Sequence, residues 1–134
     1  ICKSVVAGLP IDTFHWLLDH SIPFNRFVMN QLNERLGQFI AAREIDRMSN
    51  PDLRVARTLA ALFNPLLYPG VGQILRITQQ ELANLVGLSR QRVNEALSVL
   101  QRERVIQIEY GGLRVLDLEA LRHGEFCASR KALA

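Results

Sequence analysis

The stretch that decides the fold reads Thr78-Gln79-Gln80-Glu81-Leu82-Ala83-Asn84-Leu85-Val86-Gly87-Leu88-Ser89-Arg90-Gln91-Arg92-Val93-Asn94-Glu95-Ala96-Leu97-Ser98-Val99-Leu100. Thr78 with Glu81 three residues later is a capping box: the Thr side chain closes on the Glu amide and the Glu carboxylate reaches back, so a helix is predicted from Gln79. Leu82, Ala83, Leu85 and Val86 supply its apolar face, Gly87 suits the left-handed residue that ends a helix, and Leu88 fills the corner. Ser89 then caps a second helix in which Val93, Ala96, Leu97 and Leu100 share one side at i, i+3, i+4 and i+7. Two helices, the first short, joined by a Gly turn and with small Ala83 where they cross, make a helix-turn-helix.

The residues on the other side of the second helix carry the functional expectation. With the apolar stripe inward at about 100° per residue, Gln91 and Glu95 point outward, and Arg92 and Asn94 stand on the flanks. Arg90 in the first turn has the reach for a guanine O6/N7 pair or a phosphate, Gln91 can pair with adenine N6/N7, and Glu95 can accept from cytosine N4. The hydroxyls of Thr78 and Ser89 and the amide-rich helix starts, Gln79 included, suit phosphates, which set register without reading sequence. Arg76, Arg90, Arg92, Arg102 and Arg104 outnumber Glu81, Glu95 and Glu103 by two, a mildly basic motif. Two alternatives stand beside this reading. A solvated helix face accounts for any one of these Arg taken alone, and the pair of helices also suits a module for protein or RNA contacts without sequence-specific DNA binding.

Downstream, Val105 to Glu109 alternates as a strand does, Tyr110-Gly111-Gly112 is a turn, and Leu113 to Leu116 returns as the partner strand. This hairpin is the expected wing, with Asp117 capping a short closing helix to Leu121, so Thr78 to Leu118 reads as a winged helix-turn-helix. Upstream, Ile11, Phe14, Leu17 and Leu18 recur at helical spacing after Pro10. Pro23 opens a long helix to about Met48 whose seam is Phe24, Val28, Leu32, Leu36 and Phe39. A seam this long exceeds what a small domain covers from within, which favours pairing with the same helix of a second chain. Packing on a further amino-terminal domain is the other reading. Ser49-Asn50-Pro51-Asp52 is the expected hinge and cap of the next helix, whose Leu53, Ala56, Leu59, Ala60 and Phe63 share a face up to Pro65, and Leu66 to Gln73 reads as a surface loop.

Composition bounds the rest. The chain has 134 residues, a net charge of +3, 49% hydrophobic and 22% charged residues, a globular balance with room for one domain or two small units. Cys2 and Cys127, at opposite ends, form no metal-binding set and fit a reducing, cytoplasmic setting. No apolar run approaches the roughly 20 residues of a membrane span, so no membrane partner is expected. His15, Asp19, His20 and His123 are too few and too scattered for a metal or catalytic centre, and the chain does not read as an enzyme. The apolar opening Ile1 to Ala7 reads as the end of a strand whose partners are missing, which predicts a chain cut from a larger protein.

Taken with the seam helix and the hinge at Asn50-Pro51, the run Ile77-Thr78-Gln79-Gln80-Glu81-Leu82-Ala83 through Gly87-Leu88-Ser89-Arg90 and its wing resembles the cyclic-AMP receptor/FNR (Crp/Fnr) family of bacterial transcription regulators over essentially the whole chain. The resemblance implies a mainly α fold with a small β wing. It places the end of a truncated β-roll sensor at 1–20, a dimerisation helix and hinge at 21–50, the winged helix-turn-helix at 51–124 and a tail at 125–134. It implies an effector-controlled homodimer on palindromic duplex DNA, with RNA polymerase as a further partner near Leu66 to Gln73. Arg90 matches the family's base-reading Arg. Gln91 stands for its usual acidic residue and Glu95 for its second basic reader, so a different half-site is expected. No cofactor is expected within these residues. The effector of the sensor is left open between a cyclic nucleotide and other ligands, and Gln38-Phe39, in place of the family's Thr-Ser pair, argues against cyclic AMP.

Overall fold

Five side-chain caps set the starts of five helices. In the computed structural model, which describes residues 5–68, 71–72, 74–124 and 126, α1 (Ile11–His20) follows Pro10 and leads through Ser21 into α2 (Ile22–Asp46). Ser21 Oγ accepts from the Phe24 amide at 3.4 Å, and Pro23 sits in the first turn of α2, where its missing N–H costs nothing. Asn50 Oδ1 accepts from the amides of Asp52 and Leu53 and starts α3 (Pro51–Ala61). Thr78 and Ser89 start α4 (Gln79–Val86) and α5 (Arg90–Arg102), and Asp117 starts α6 (Leu118–His123). Gly87, at φ +69°, ends α4 with its amide on the Ala83 carbonyl, a left-handed stop that a side chain would strain.

The wing is three-stranded. Strands β2 (Ile106–Glu109) and β3 (Gly112–Val115) pair antiparallel in the register Ile106↔Val115 to Glu109↔Gly112, as the alternation predicts. A third strand, β1 (Ile74–Leu75), pairs with the other edge of β3 to give the order β1-β3-β2. Two residues carry no alternation to read, so this strand is absent from the sequence expectation. It explains Gly112: a Cβ there would stand 2.7 Å from the Leu75 carbonyl oxygen.

Val93, Ala96, Leu97 and Leu100 of α5 are buried, as their spacing predicts, against Val55, Ala56 and Leu59 of α3, Leu82, Ala83 and Val86 of α4, Ile106 and Leu113 of the sheet, and Leu121 of α6. Three expectations are corrected. Leu85 is exposed rather than in the buried face of α4. At 100° per residue it falls outside the arc of Leu82, Ala83 and Val86, and it opens instead on a shallow cleft with Ile45, Leu62 and Tyr68. The helix expected to run to Pro65 ends at Ala61, where Phe63 and Leu62 turn back on the Ala60 and Leu59 carbonyls. The strand expected at Ile1 to Ala7 is not formed at 5–7, while 1–4 lie outside the described residues. Among the described residues the strands pair only with one another, so no ladder takes up the backbone groups of 5–7. Cys2, Cys127 and all of the expected tail 125–134 except Phe126 also lie outside them.

Helices α1 and α2 have no fully buried residue, in contrast to α3, α4, α5 and α6. Phe24 packs edge-on against Phe14 of α1, ring centroids 5.6 Å apart, so that part of the expected seam is used within the chain. Leu32, Leu36 and Phe39 remain 64%, 60% and 72% exposed, with Met29 and Ile40 beside them. The opposite edge of α2 is tied to the domain by polar contacts: Gln31 Nε2 donates to the Leu66 carbonyl, Gln38 Nε2 to the Ala61 carbonyl, and Asn64 Nδ2 to Glu34 Oε2 at 2.9 Å. No helix among the described residues is long and apolar enough to cross a membrane.

Candidate nucleic-acid interface

The buried stripe of α5 fixes which residues its other side presents. Arg90, Gln91 and Glu95 are exposed along one face, and Arg92 and Asn94 stand half-buried on its flanks, the arrangement that the spacing predicts. Arg90 has no hydrogen-bond or ion-pair partner among the described residues, so its guanidinium fork is available to a ligand. Ser89 Oγ accepts from the Arg92 amide at 3.2 Å, and no acidic residue occupies the first turn of α5, which leaves the positive end of the helix dipole uncompensated.

The start of α4 is different. Thr78 Oγ1 accepts from the Glu81 amide at 3.1 Å, while Glu81 Oε2 accepts from both the Thr78 amide and the Thr78 hydroxyl at 2.8 Å. The amide bond first, and the hydroxyl bond second, hold the Glu81 carboxyl below its ordinary pKa. At neutral pH an ionised carboxylate therefore already answers the α4 dipole, and the Thr78 proton is committed to it. The phosphate role expected of Thr78 thus has a competitor within the chain that Ser89 does not have. Gln79 lines a narrow crevice with Thr78, Leu97 and Gly112.

Arg92 is engaged twice. Its Nη2 meets Asp52 Oδ1 at 3.0 Å and its Nη1 meets Glu95 Oε2 at 2.8 Å, while Gln91 Nε2 donates to Glu95 Oε1 at 3.4 Å. Asp52, only 6% exposed in the first turn of α3, is a residue that the sequence does not mark as part of the site. An acidic residue after Pro51 reads as a dipole partner, and nothing local announces a bond to a residue forty positions on. Arg54 was missed for the same reason: its Nη2 donates to the Val86 carbonyl at 2.8 Å and closes the last turn of α4 beside Gly87. Asn94 Oδ1 is buried without a hydrogen-bond partner among the described residues. At the tip of the wing Tyr110 is fully exposed next to Gly111, whose φ is +76°.

The histidines form no centre. His20 stacks on Trp16 with its Nδ1 2.8 Å from the Trp16 carbonyl, and His123 Nε2 lies 3.2 Å from Glu119. Among the described residues no group of three or more His, Cys, Asp or Glu stands close enough to hold a metal ion.

Comparison with known proteins places these elements. The transcriptional regulator SdrP of Thermus thermophilus is 34% identical over 101 residues, which cover 71% of this chain and 50% of that protein. A crystal structure of a Crp/Fnr-family regulator from Eubacterium rectale superposes over 85% of this chain and 52% of its own with a TM-score of 0.51; at 23% identity this is a likeness of fold. The chain thus spans about half the length of the relatives it matches. Residues 53–123, more than half of the chain and running from the first turn of α3 to the end of α6, match the family profile of the Crp-like helix-turn-helix domain. The chain belongs to the Crp/Fnr family of transcriptional regulators, a family of DNA-binding proteins rather than of enzymes.

Proposed function

We propose that this chain binds palindromic duplex DNA as a homodimer, with α5 laid in the major groove and α2 paired with its counterpart. The observation that carries the reading is the polar, exposed face of Arg90, Gln91 and Glu95 held rigidly over four buried side chains of the same helix. In this reading Arg90 takes a guanine O6/N7 edge, Gln91 an adenine and Glu95 a cytosine amino group, while Ser89, the α5 amides and Gln79 meet phosphates, and Thr78, whose donors Glu81 holds, fixes the start of α4. Asn94 stands at the edge of the contact and Tyr110 at the backbone beside the wing.

The exposed stripe of Leu32, Leu36 and Phe39, with Val28 half-buried above it, supports the pairing of α2. A symmetric pair places the two copies of α5 roughly 34 Å apart, which sets half-sites about one helical turn apart. Residues 51–124 act as the DNA-binding unit, 21–50 as dimer helix and hinge, and 1–20 as the approach from a sensor that accounts for the remaining length of the relatives. A cytoplasmic effector at that sensor, a cyclic nucleotide or another small ligand, tilts the hinge, and RNA polymerase meets the surface near Leu66. Cyclic AMP is disfavoured as that effector because Gln38-Phe39 stands in place of the family's Thr-Ser pair.

Selection of bound sequences from a random duplex pool tests the proposal, followed by affinity for the selected palindrome and for random duplex across a salt series. A preferred palindrome is expected. Arg90→Ala should abolish preference at one base pair per half-site, a loss of about 1 to 3 kcal/mol of discrimination. Equal affinity for both duplexes at every salt concentration would refute sequence-specific binding and leave a module for protein or RNA contacts.

A further inference from the structure

We propose that Asp52 and Arg92 form a strut that positions the Glu95 carboxylate for base reading, so that Arg92 acts through Glu95 rather than on DNA. The inference rests on the DNA-reading role proposed above for α5. Asp52 is almost wholly buried, and a polar group in the interior costs free energy unless it is hydrogen-bonded. Arg92 Nη2 is one such partner, at 3.0 Å from Asp52 Oδ1, and the other arm of the same planar fork holds Glu95 at 2.8 Å. Because the guanidinium is rigid, fixing one arm in the interior fixes the direction of the other, and Glu95 can no longer rotate freely about its own side-chain bonds. Gln91 meets the second Glu95 oxygen, so the exposed carboxylate is held from both sides.

Two physical consequences follow. A carboxylate on a DNA-facing helix is repelled by phosphates, and the adjacent Arg92 charge offsets that repulsion without leaving the protein. The strut also joins the first turn of α3, two residues after the Asn50 cap, to the reading face of α5, so a shift at the hinge is transmitted to Glu95.

The test uses the full chain, circular dichroism as a check of folding, and base-pair preferences measured on the selected palindrome. Glu95→Gln defines the base pair that Glu95 reads. Asp52→Asn, Arg92→Gln and Arg92→Lys are each expected to relax preference at that same pair, roughly tenfold for the first two, while the Arg90 position is unchanged. Lys, a point charge without a fork, restores less than half of the lost preference on a logarithmic scale. Asp52→Asn added to Glu95→Gln should cause no further loss, because both act through one carboxylate. A merely structural role would lower affinity equally at every base pair, and that result overturns the strut. So does an Arg92→Gln variant that keeps full preference but has a salt slope reduced by about one, the mark of a lost phosphate contact. If Asp52→Asn does not fold, the Arg92 variants on the partly exposed arm decide alone. A wild-type chain without sequence preference overturns the reading role itself together with the strut, whereas a preference that ignores Asp52 and Arg92 overturns the strut only.

Discussion

Helices α2 and α5 both carry an apolar stripe at helical spacing, yet they end in opposite environments. In α5 the stripe of Val93, Ala96, Leu97 and Leu100 is covered by α3, α4, the sheet and α6. In α2, nearly twice as long, Leu32, Leu36 and Phe39 are exposed, and polar side chains such as Gln31 and Gln38 on another edge tie the helix to the domain. The periodicity states that a face wants cover. What provides the cover depends on length: the 13 residues of α5 span little more than the domain, whereas the 25 of α2 extend well past what α3 can reach.

The comparison breaks first at the core. Leu100→Ala should destabilise the chain by about 2 to 5 kcal/mol in chemical denaturation, while Leu32→Ala in dilute, unpaired chain should stay within about 0.5 kcal/mol. Comparable losses at the two sites would erase the distinction. Association is the next measure. Leu36→Ala removes one side chain from each protomer of the proposed symmetric seam and should weaken dimerisation by about 3 kcal/mol, roughly a hundredfold, in sedimentation equilibrium. A wild-type chain that stays monomeric at every accessible concentration would leave the α2 stripe to some other cover.

Smaller effects sharpen the contrast between the two helix starts at the interface. Ser89→Ala should cost about 1 kcal/mol of stability, since the Arg92 amide loses its acceptor. The smallest effect is a pH dependence at α4. Its fold-lowered pKa means that Glu81 contributes fully above the ordinary carboxylate range, and that the contribution is lost as the pH falls through the lowered value. Melting curves of wild type and Glu81→Gln should therefore differ near neutrality and converge in acid. A gap that widened in acid would reverse the assignment.

The helix-turn-helix was legible because its signals are local. Thr78 with Glu81, Gly87 at the stop and Ser89 at the next start each lie within one turn of their partners, and the four buried residues of α5 follow from a single period. Leu85 was misjudged because a helix of eight residues holds too few side chains to define its buried arc. Strand β1 was missed because two residues have no period at all. The spacing of α2 places Phe24 on the seam, and nothing in that spacing reveals that Phe14 of the preceding helix folds back on it.

The sequence by itself determined where five helices begin, where α4 stops, and which side of α5 turns inward, because capping and periodicity act between residues within a few positions of one another. Only the tertiary structure decided that Gly112 must admit the edge of β1, that Arg54 closes the end of α4, and that Asp52 holds Arg92. Those pairings join residues more than thirty positions apart. Their partners are chosen by packing in three dimensions, which no local rule of the chain encodes.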